Sequence, residues 1–426
     1  MNQTTHKSYA LPIAMMFLLF FIISFVTGLQ NPMGVIVKDQ FNLNNYQSQL
    51  GNMANFLAYF FMGIPSGKLL RRIGYKKTAL FALVMGFTGV LVMYLGGKTA
   101  SFWIYLGGAF ISGFTMCTLN TVVNPMLTVL GSKERANQRL NFGGACNSFG
   151  ATIVPILGGV LMGNAAQKTI SDADPLLFVA MGIFALVFVV LLFVQIPEPH
   201  IESKEQLKIK DKYSALSFRH FRLGVIAIFI YVGTEVGIGS IANLYLTNSV
   251  EHGGLGIDPS LAGSIVGIYY LLMLVGRLLG GMLGGIVSSR QMLASVSGLG
   301  LLFVLIGIYA PDYMVKMPVV TSNLHFELAD VHVGVAFLML CGICISVMWP
   351  CTFNLATEGL GKYIAEGSGF FMTMVVGGGV LPMIQGAIAD SFGYLDSYWL
   401  IVACMGYLLY YALIGSQNVN DNIPVE

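Results

Sequence analysis

Glu235 is the single charged residue between Arg222 and Glu251, in a window of otherwise apolar, small and uncharged residues. A carboxylate near the middle of a bilayer is costly unless a cation, a proton or a hydrogen-bond donor meets it. Two chemistries follow: Glu235 handles an ion or proton that moves, or it stays protonated and bonds a neighbouring helix. A second set of polar groups lies inside apolar runs: Asn31, Asn55, Asn120, Asn124, Asn147, Asn243, Asn354 and Gln385, with Tyr269, Tyr270 and Trp349. An amide in hydrocarbon must face protein or a water-filled cavity. Side chains that both donate and accept suit a neutral polyol, and an indole offers a flat face to the C–H side of a sugar ring. Taken singly, each amide serves equally as helix–helix glue. Taken together, they favour a central polar cavity.

Other chemistries lack their residues. The sequence contains no Gly-x-x-x-x-Gly-Lys-Ser/Thr loop, the cradle for nucleotide phosphates. His6, His200, His220, His252, His325 and His332 fall in loops or at stretch ends, which argues against a histidine relay or metal centre. Cys117, Cys146, Cys341, Cys344, Cys351 and Cys404 all lie in apolar runs without a disulfide framework or metal-ligand spacing, and read as small packing residues. No enzyme, cofactor or nucleic-acid partner is expected; a Na⁺ or H⁺ at Glu235, with Asn120 and Asn124 as further oxygen donors, is.

The elements that hold these groups are membrane spans. Of 426 residues, 56% are hydrophobic and 10% charged, against about 25% charged in a soluble domain. Twelve apolar stretches begin near Ala10, Gln47, Thr78, Ser101, Leu140, Pro175, Phe221, Ser260, Gln291, Val333, Gly367 and Leu395. Each is long enough for a hydrocarbon core about 30 Å thick. The predicted organisation is a six-helix bundle over 1–197, a cytoplasmic linker over 198–219 and a second six-helix bundle over 220–426. The linker holds Lys204, Lys208, Lys210 and Lys212; an amphipathic segment and a solvated loop both fit it. With the N-terminus inside, seventeen Lys and Arg fall on the inner side and four (Lys38, Lys98, Lys168, Lys316) on the outer. That asymmetry places both termini in the cytoplasm. Arg277 lies within the eighth stretch and reads as structural, with a pair to Glu235 as the alternative.

The halves resemble each other. Gly67-Lys-Leu-Leu-Arg-Arg-Ile-Gly-Tyr-Lys-Lys77 follows the second stretch, and Gly281-Met-Leu-Gly-Gly-Ile-Val-Ser-Ser-Arg-Gln291 follows the eighth, 214 positions on. Asn124-Pro125 recurs as Trp349-Pro350, and Pro155 as Pro382. Repeats with interruptions at matching places mark two-bundle secondary transporters. In the first copy, Gly67 is read as ending a helix, and small residues let the second and eleventh stretches approach. Arg71, Arg72, Lys76 and Lys77 then gather at the inner mouth as a conformational lock or as positive-inside anchors.

Several blocks resemble the fucose:proton symporter and glucose/galactose transporter family of the major facilitator superfamily. They are Asn120-Thr-Val-Val-Asn-Pro-Met-Leu-Thr-Val-Leu-Gly131, Arg139-Leu-Asn, Asn147-Ser-Phe-Gly-Ala151, Tyr231-Val-Gly-Thr-Glu-Val-Gly-Ile-Gly-Ser240, Trp349-Pro350, Glu358-Gly-Leu-Gly-Lys362, Gly367-Ser-Gly369 and Pro382-Met-Ile-Gln-Gly386. Gly67 to Lys77 likewise resembles the superfamily's loop motif after the second helix. The resemblance implies an all-α membrane protein of twelve transmembrane helices in two bundles. It would import a monosaccharide by alternating access across a bacterial inner membrane, as a monomer coupled to Na⁺ or H⁺. Asn31 and Asn120 stand where the fucose branch carries acids, and Gly144 where it carries a sugar-contacting glutamine. Glu235 matches a glutamate of the glucose/galactose branch and becomes the coupling carboxylate. Asn31, Asn147, Tyr269, Trp349, Asn354 and Gln385 are the expected sugar contacts. The rival readings are an uncoupled sugar facilitator and a non-transporting membrane sensor; an exporter of apolar drugs would need a greasier cavity.

Overall fold

In a computed structural model, residues 9–41, 50–161, 169–198, 212–257, 259–311, 313–320, 326–420 and 422–425 are described. Lys204, Lys208 and Lys210 of the linker fall outside them. The helices are α1 (Ala10–Phe41), α2 (Leu50–Lys98), α3 (Phe102–Val129), α4 (Ala136–Leu161), α5 (Asp174–Phe193), α6 (Arg219–Thr247), α7 (Pro259–Leu283), α8 (Ser289–Tyr309), α9 (Val333–Ile345), α10 (Met348–Thr357), α11 (Ile364–Thr373), α12 (Gly377–Phe392) and α13 (Tyr398–Tyr410). Ten spans among the described residues are long and apolar enough to cross a membrane. One of these, α2, is two helices, because Gly74 breaks it at φ 82, a left-handed value that glycine alone adopts without strain. With α4 added, the spans number twelve, at the places the sequence predicts.

Gly67 does not end a helix, contrary to expectation. The helix continues past it to Gly74, and Gly67 instead serves close packing. A Cβ on Gly67 would fall 2.9 Å from the Ala365 carbonyl oxygen and 3.0 Å from Gly369 Cα. One on Gly63 would fall 2.2 Å from Thr373 Oγ1. Residue numbers fall on α11 as they rise on α2, so the two run antiparallel, backbone against backbone.

Two compact units result. One comprises 1–215, Leu360–Thr373 and Val425–Glu426; the other comprises Leu216–Gly359 and Met374–Pro424. The expected boundaries follow chain order, whereas these units divide the eleventh span. Its first half, α11, groups with α2 through the small-residue contacts just described. The division falls at the 3₁₀ turn Met374–Val376 that precedes α12.

Within the second unit α6 and α12 run parallel. Gly233 meets Leu381, Gly237 meets Gln385, and Gly377 meets the Phe229 carbonyl, with a Cβ on each glycine falling 2.1–2.5 Å from its neighbour. Parallel packing is what two odd-numbered spans require. The tenth span is also interrupted, at Ser346–Val347 between α9 and α10. Pro350 has no N–H to offer the Ser346 carbonyl one turn back, so the ladder breaks there.

The surface is apolar in the manner of a lipid-facing protein: Phe193 is 82% exposed and Ile286 84%. Trp103, Tyr309 and Trp399 are exposed at span ends, where amphipathic rings collect at a membrane interface.

One element departs from the all-α expectation. The connection between α8 and α9 forms an antiparallel hairpin, β1 (Met314–Val320) with β2 (Phe326–His332), in register Met314 to His332 and Lys316 to Asp330. Met317, Val319 and Val331 point to its buried face. Pro318 is tolerated because a two-stranded sheet consists of edges.

Candidate functional site

The site grows from the geometry of α6. Tyr231 and Glu235 are four residues apart and share a face. Gly233 and Gly237, each two residues from Glu235, lie roughly 200° away around the helix. The glycine face accepts α12, and the opposite face turns to α7. There Arg277 Nη2 approaches Glu235 Oε1 at 3.5 Å, with the two side chains only 11% and 22% exposed. The alternative for Arg277 is therefore the one that forms. The Tyr269 hydroxyl donates to the Glu235 main-chain oxygen at 2.9 Å, tying α7 to α6 at this level. Tyr270 stacks edge-on against Tyr269, their centroids 5.2 Å apart. Across the broken tenth span, Trp349 meets Tyr231 edge to face at 6.2 Å.

The electrostatics are those of a loosely closed pair. A well-made guanidinium–carboxylate hydrogen bond runs at about 2.7–2.9 Å, so 3.5 Å leaves Glu235 an ion partner that is present but not locked. The Tyr231 hydroxyl is buried beside both charges and interacts with each. The pair sums to zero charge, and its neighbours are aromatic faces and hydroxyls. A site of that composition suits a neutral, polyhydroxylated ligand, to which Glu235 offers acceptors and Arg277 donors.

The remaining candidates divide between the units. In the second unit, Glu235, Tyr269 and Trp349 come together. Gln385 does not join them: it is fully buried on the glycine face of α6. Asn354 lies beyond Trp349 toward the end of α10 and donates to Ser289 Oγ at 2.9 Å, at the start of α8. In the first unit, Asn124 donates to the Asn120 carbonyl at 2.9 Å and to its side-chain oxygen at 3.2 Å. Asn120 in turn donates to the Tyr59 hydroxyl at 2.9 Å. Asn147 donates to the Phe20 carbonyl at 3.1 Å, joining α4 to α1. The Asn31 backbone is helical, and its side chain lies outside the described residues.

The basic segment has an anchor that the sequence reading missed. After the Gly74 break, Glu198 accepts from the Tyr75 and Lys76 amides at 2.5 and 2.9 Å, capping the new helix start. The Lys76 ammonium donates to the Leu192 carbonyl at 2.8 Å. Burial pushes the Glu198 carboxyl above its ordinary range, against the opposing pull of those two amides and of Lys77 and Lys76. Nothing in the sequence pairs positions 123 apart. Arg277 and Tyr231 were more legible: one is a lone cation in an apolar stretch, the other sits one turn from the lone carboxylate.

The family model for the Major Facilitator Superfamily matches residues 16–383. A glucose/galactose transporter of Brucella abortus biovar 1 (strain 9-941) is 31% identical over 424 residues, covering 98% of this chain and 97% of that protein. The L-fucose-proton symporter of Escherichia coli (strain K12) is 25% identical over 440 residues, covering 97% and 95%. A crystal structure of the transporter FucP in the outward conformation superposes with a TM-score of 0.83 at 23% identity, over 97% of this chain and all of that one, a likeness of fold. With that match across most of its length and with twelve spans in place, the chain belongs to the Major Facilitator Superfamily of membrane transporters, and it is not an enzyme.

Proposed function

We propose that the protein imports a neutral monosaccharide of the hexose or deoxyhexose class, by alternating access coupled to Na⁺ or H⁺ at Glu235. The observation that carries this reading is the Glu235–Arg277 pair, loose at 3.5 Å and flanked by Tyr231, Tyr269 and Trp349. Arg277 pairs with Glu235 between cycles. An arriving cation or proton competes with Arg277 for the carboxylate, and the released guanidinium donates to the sugar. Glu235 is the coupling carboxylate; the amide nitrogens of Asn120 and Asn124 bond within the first unit, Asn120 to Tyr59 and Asn124 to Asn120. Tyr269 and Trp349 are the sugar contacts on the second unit, and Asn31 and Asn147 the candidate contacts on the first. The relatives' printed activities, glucose/galactose transport and L-fucose-proton symport, support the substrate class. The protein works as a monomer in a bacterial inner membrane; the charge asymmetry supports cytoplasmic placement of both termini.

Uptake of labelled D-glucose, D-galactose and L-fucose into proteoliposomes tests this, with Na⁺ and pH gradients imposed separately. Concentrative uptake that follows one gradient, and becomes equilibrative in Glu235→Gln, is the expected result. Concentrative uptake unchanged in Glu235→Gln would overturn the coupling role. A second reading, an uncoupled facilitator, is favoured by the fact that Arg277 already neutralises Glu235. It predicts equilibrative wild-type uptake indifferent to both gradients.

A further inference from the structure

Asn55, on the first half of α2, is 2% exposed, and neither its amide nitrogen nor its amide oxygen has a hydrogen-bond partner. Buried amides nearly always find partners, and one facing hydrocarbon has no water to fall back on. Helix–helix glue does not explain this one. The residue opposite it on α3 is Gly113, so close that a Cβ there would fall 2.9 Å from Asn55 Cα. That contact brings the two backbones together and offers the amide nothing.

Its surroundings are otherwise built for polar contact. Tyr59, one turn on, shares the Asn55 face of α2, and its hydroxyl is held at 2.9 Å by Asn120. Asn124 fixes the Asn120 side-chain oxygen at 3.2 Å. The chain Asn124–Asn120–Tyr59 is thus oriented, while Asn55 beside it is left open. The internal repeat adds an independent pointer. The spacing that aligns Gly67 with Gly281 aligns Asn55 with Tyr269, and Tyr269 braces Glu235 in the other unit. The same spacing puts Gly63 opposite Arg277, so where one unit carries a cation the other carries a close-packed glycine.

We propose that Asn55 is a ligand contact on the first unit, taking a vicinal pair of hydroxyls of a neutral monosaccharide. One free donor and one free acceptor on a planar amide match two adjacent hydroxyls, one accepting from Nδ2 and the other donating to Oδ1. The amide is closed off in this structure, so the hydroxyls reach it in another conformation of the first unit. The inference rests on the monosaccharide reading above, and its test separates the two.

The purified full-length protein is assayed by thermal shift with D-glucose, D-galactose and L-fucose, as wild type and as Asn55→Leu. An isosteric apolar side chain removes an unpaired buried amide, so the unliganded melting temperature of Asn55→Leu holds or rises. Its sugar affinity falls roughly five- to tenfold, the worth of a neutral hydrogen bond or slightly more. Monodeoxy analogues of the tightest sugar are then compared. The wild type loses affinity for analogues lacking either of two adjacent hydroxyls, and Asn55→Leu no longer discriminates them. Unchanged affinity in Asn55→Leu, or a lowered melting temperature with discrimination intact, would show a structural amide and overturn the proposal. If Asn55→Leu does not fold, Asn55→Ser takes its place and must lose discrimination at one of the two positions. A wild type that binds none of the three sugars would overturn the monosaccharide reading and this inference with it.

Discussion

Glu235 and Gln385 sit on opposite faces of α6: Glu235 reaches Arg277 on α7, while Gln385 Oε1 lies 2.5 Å from where a Cβ on Gly237 would stand. The two best polar candidates of this unit therefore do not share one coordination shell. A single helix separates a charged, aromatic-lined face from a face where a glycine seam receives a buried amide without partners.

The first prediction concerns coupling between these positions. Removing one member of a buried ion pair leaves the other uncompensated, at about 3–5 kcal/mol. Glu235 keeps 22% exposure, so the lower end is expected for Arg277→Met. Restoring neutrality with Glu235→Gln should recover part of that loss. A double-mutant cycle of thermal stabilities for Glu235 and Arg277 should thus show a coupling of about 0.5–3 kcal/mol. The cycle for Glu235 and Gln385 should be additive to within roughly 0.5 kcal/mol. Equal coupling in the two cycles would contradict the two-faced arrangement.

The span pattern was readable in the sequence because the bilayer imposes it: each starting point lies within a few residues of an observed helix, and the extended α2 was divided near Gly74. The site was readable in part. Glu235, Tyr269 and Trp349 stand out as polar or aromatic groups in apolar runs, and the structure gathers them. What escaped was long-range or conformational. Glu198 reaches back 123 positions to cap a helix. The α8–α9 hairpin hides in a connection whose strands are too short to outweigh the helical pattern around them. Helical phase also went unread: Asn354 is five residues past Trp349, which turns it roughly 140° away and toward Ser289.

A second prediction uses the α6–α12 seam. At Gly377 an added methyl meets the Phe229 carbonyl oxygen at 2.1 Å, a backbone atom that cannot step aside. At Gly237 it meets the far end of the Gln385 side chain at 2.5 Å, which can rotate. Overpacking against backbone costs about 1–3 kcal/mol or more. Gly377→Ala should accordingly lower the melting temperature well below that of Gly237→Ala. The reverse order would mean that α12 is free to shift along α6.

The third prediction follows from Glu198. Burial raises its carboxyl above the ordinary value despite two amide donors. An acid whose folded value lies above its unfolded value binds its proton more tightly in the native state. Its contribution to stability is then fully present below the unfolded value and is lost as pH rises through the folded one. The window begins at the ordinary carboxylate value and extends upward from it. Wild-type stability should therefore decline across that window by more than the stability of Glu198→Gln, which cannot titrate but keeps an acceptor for the Tyr75 and Lys76 amides. Melting curves of both proteins across mildly acidic to neutral pH measure the difference. Parallel curves would mean that the Glu198 carboxyl binds its proton no more tightly in the native state than in the unfolded one.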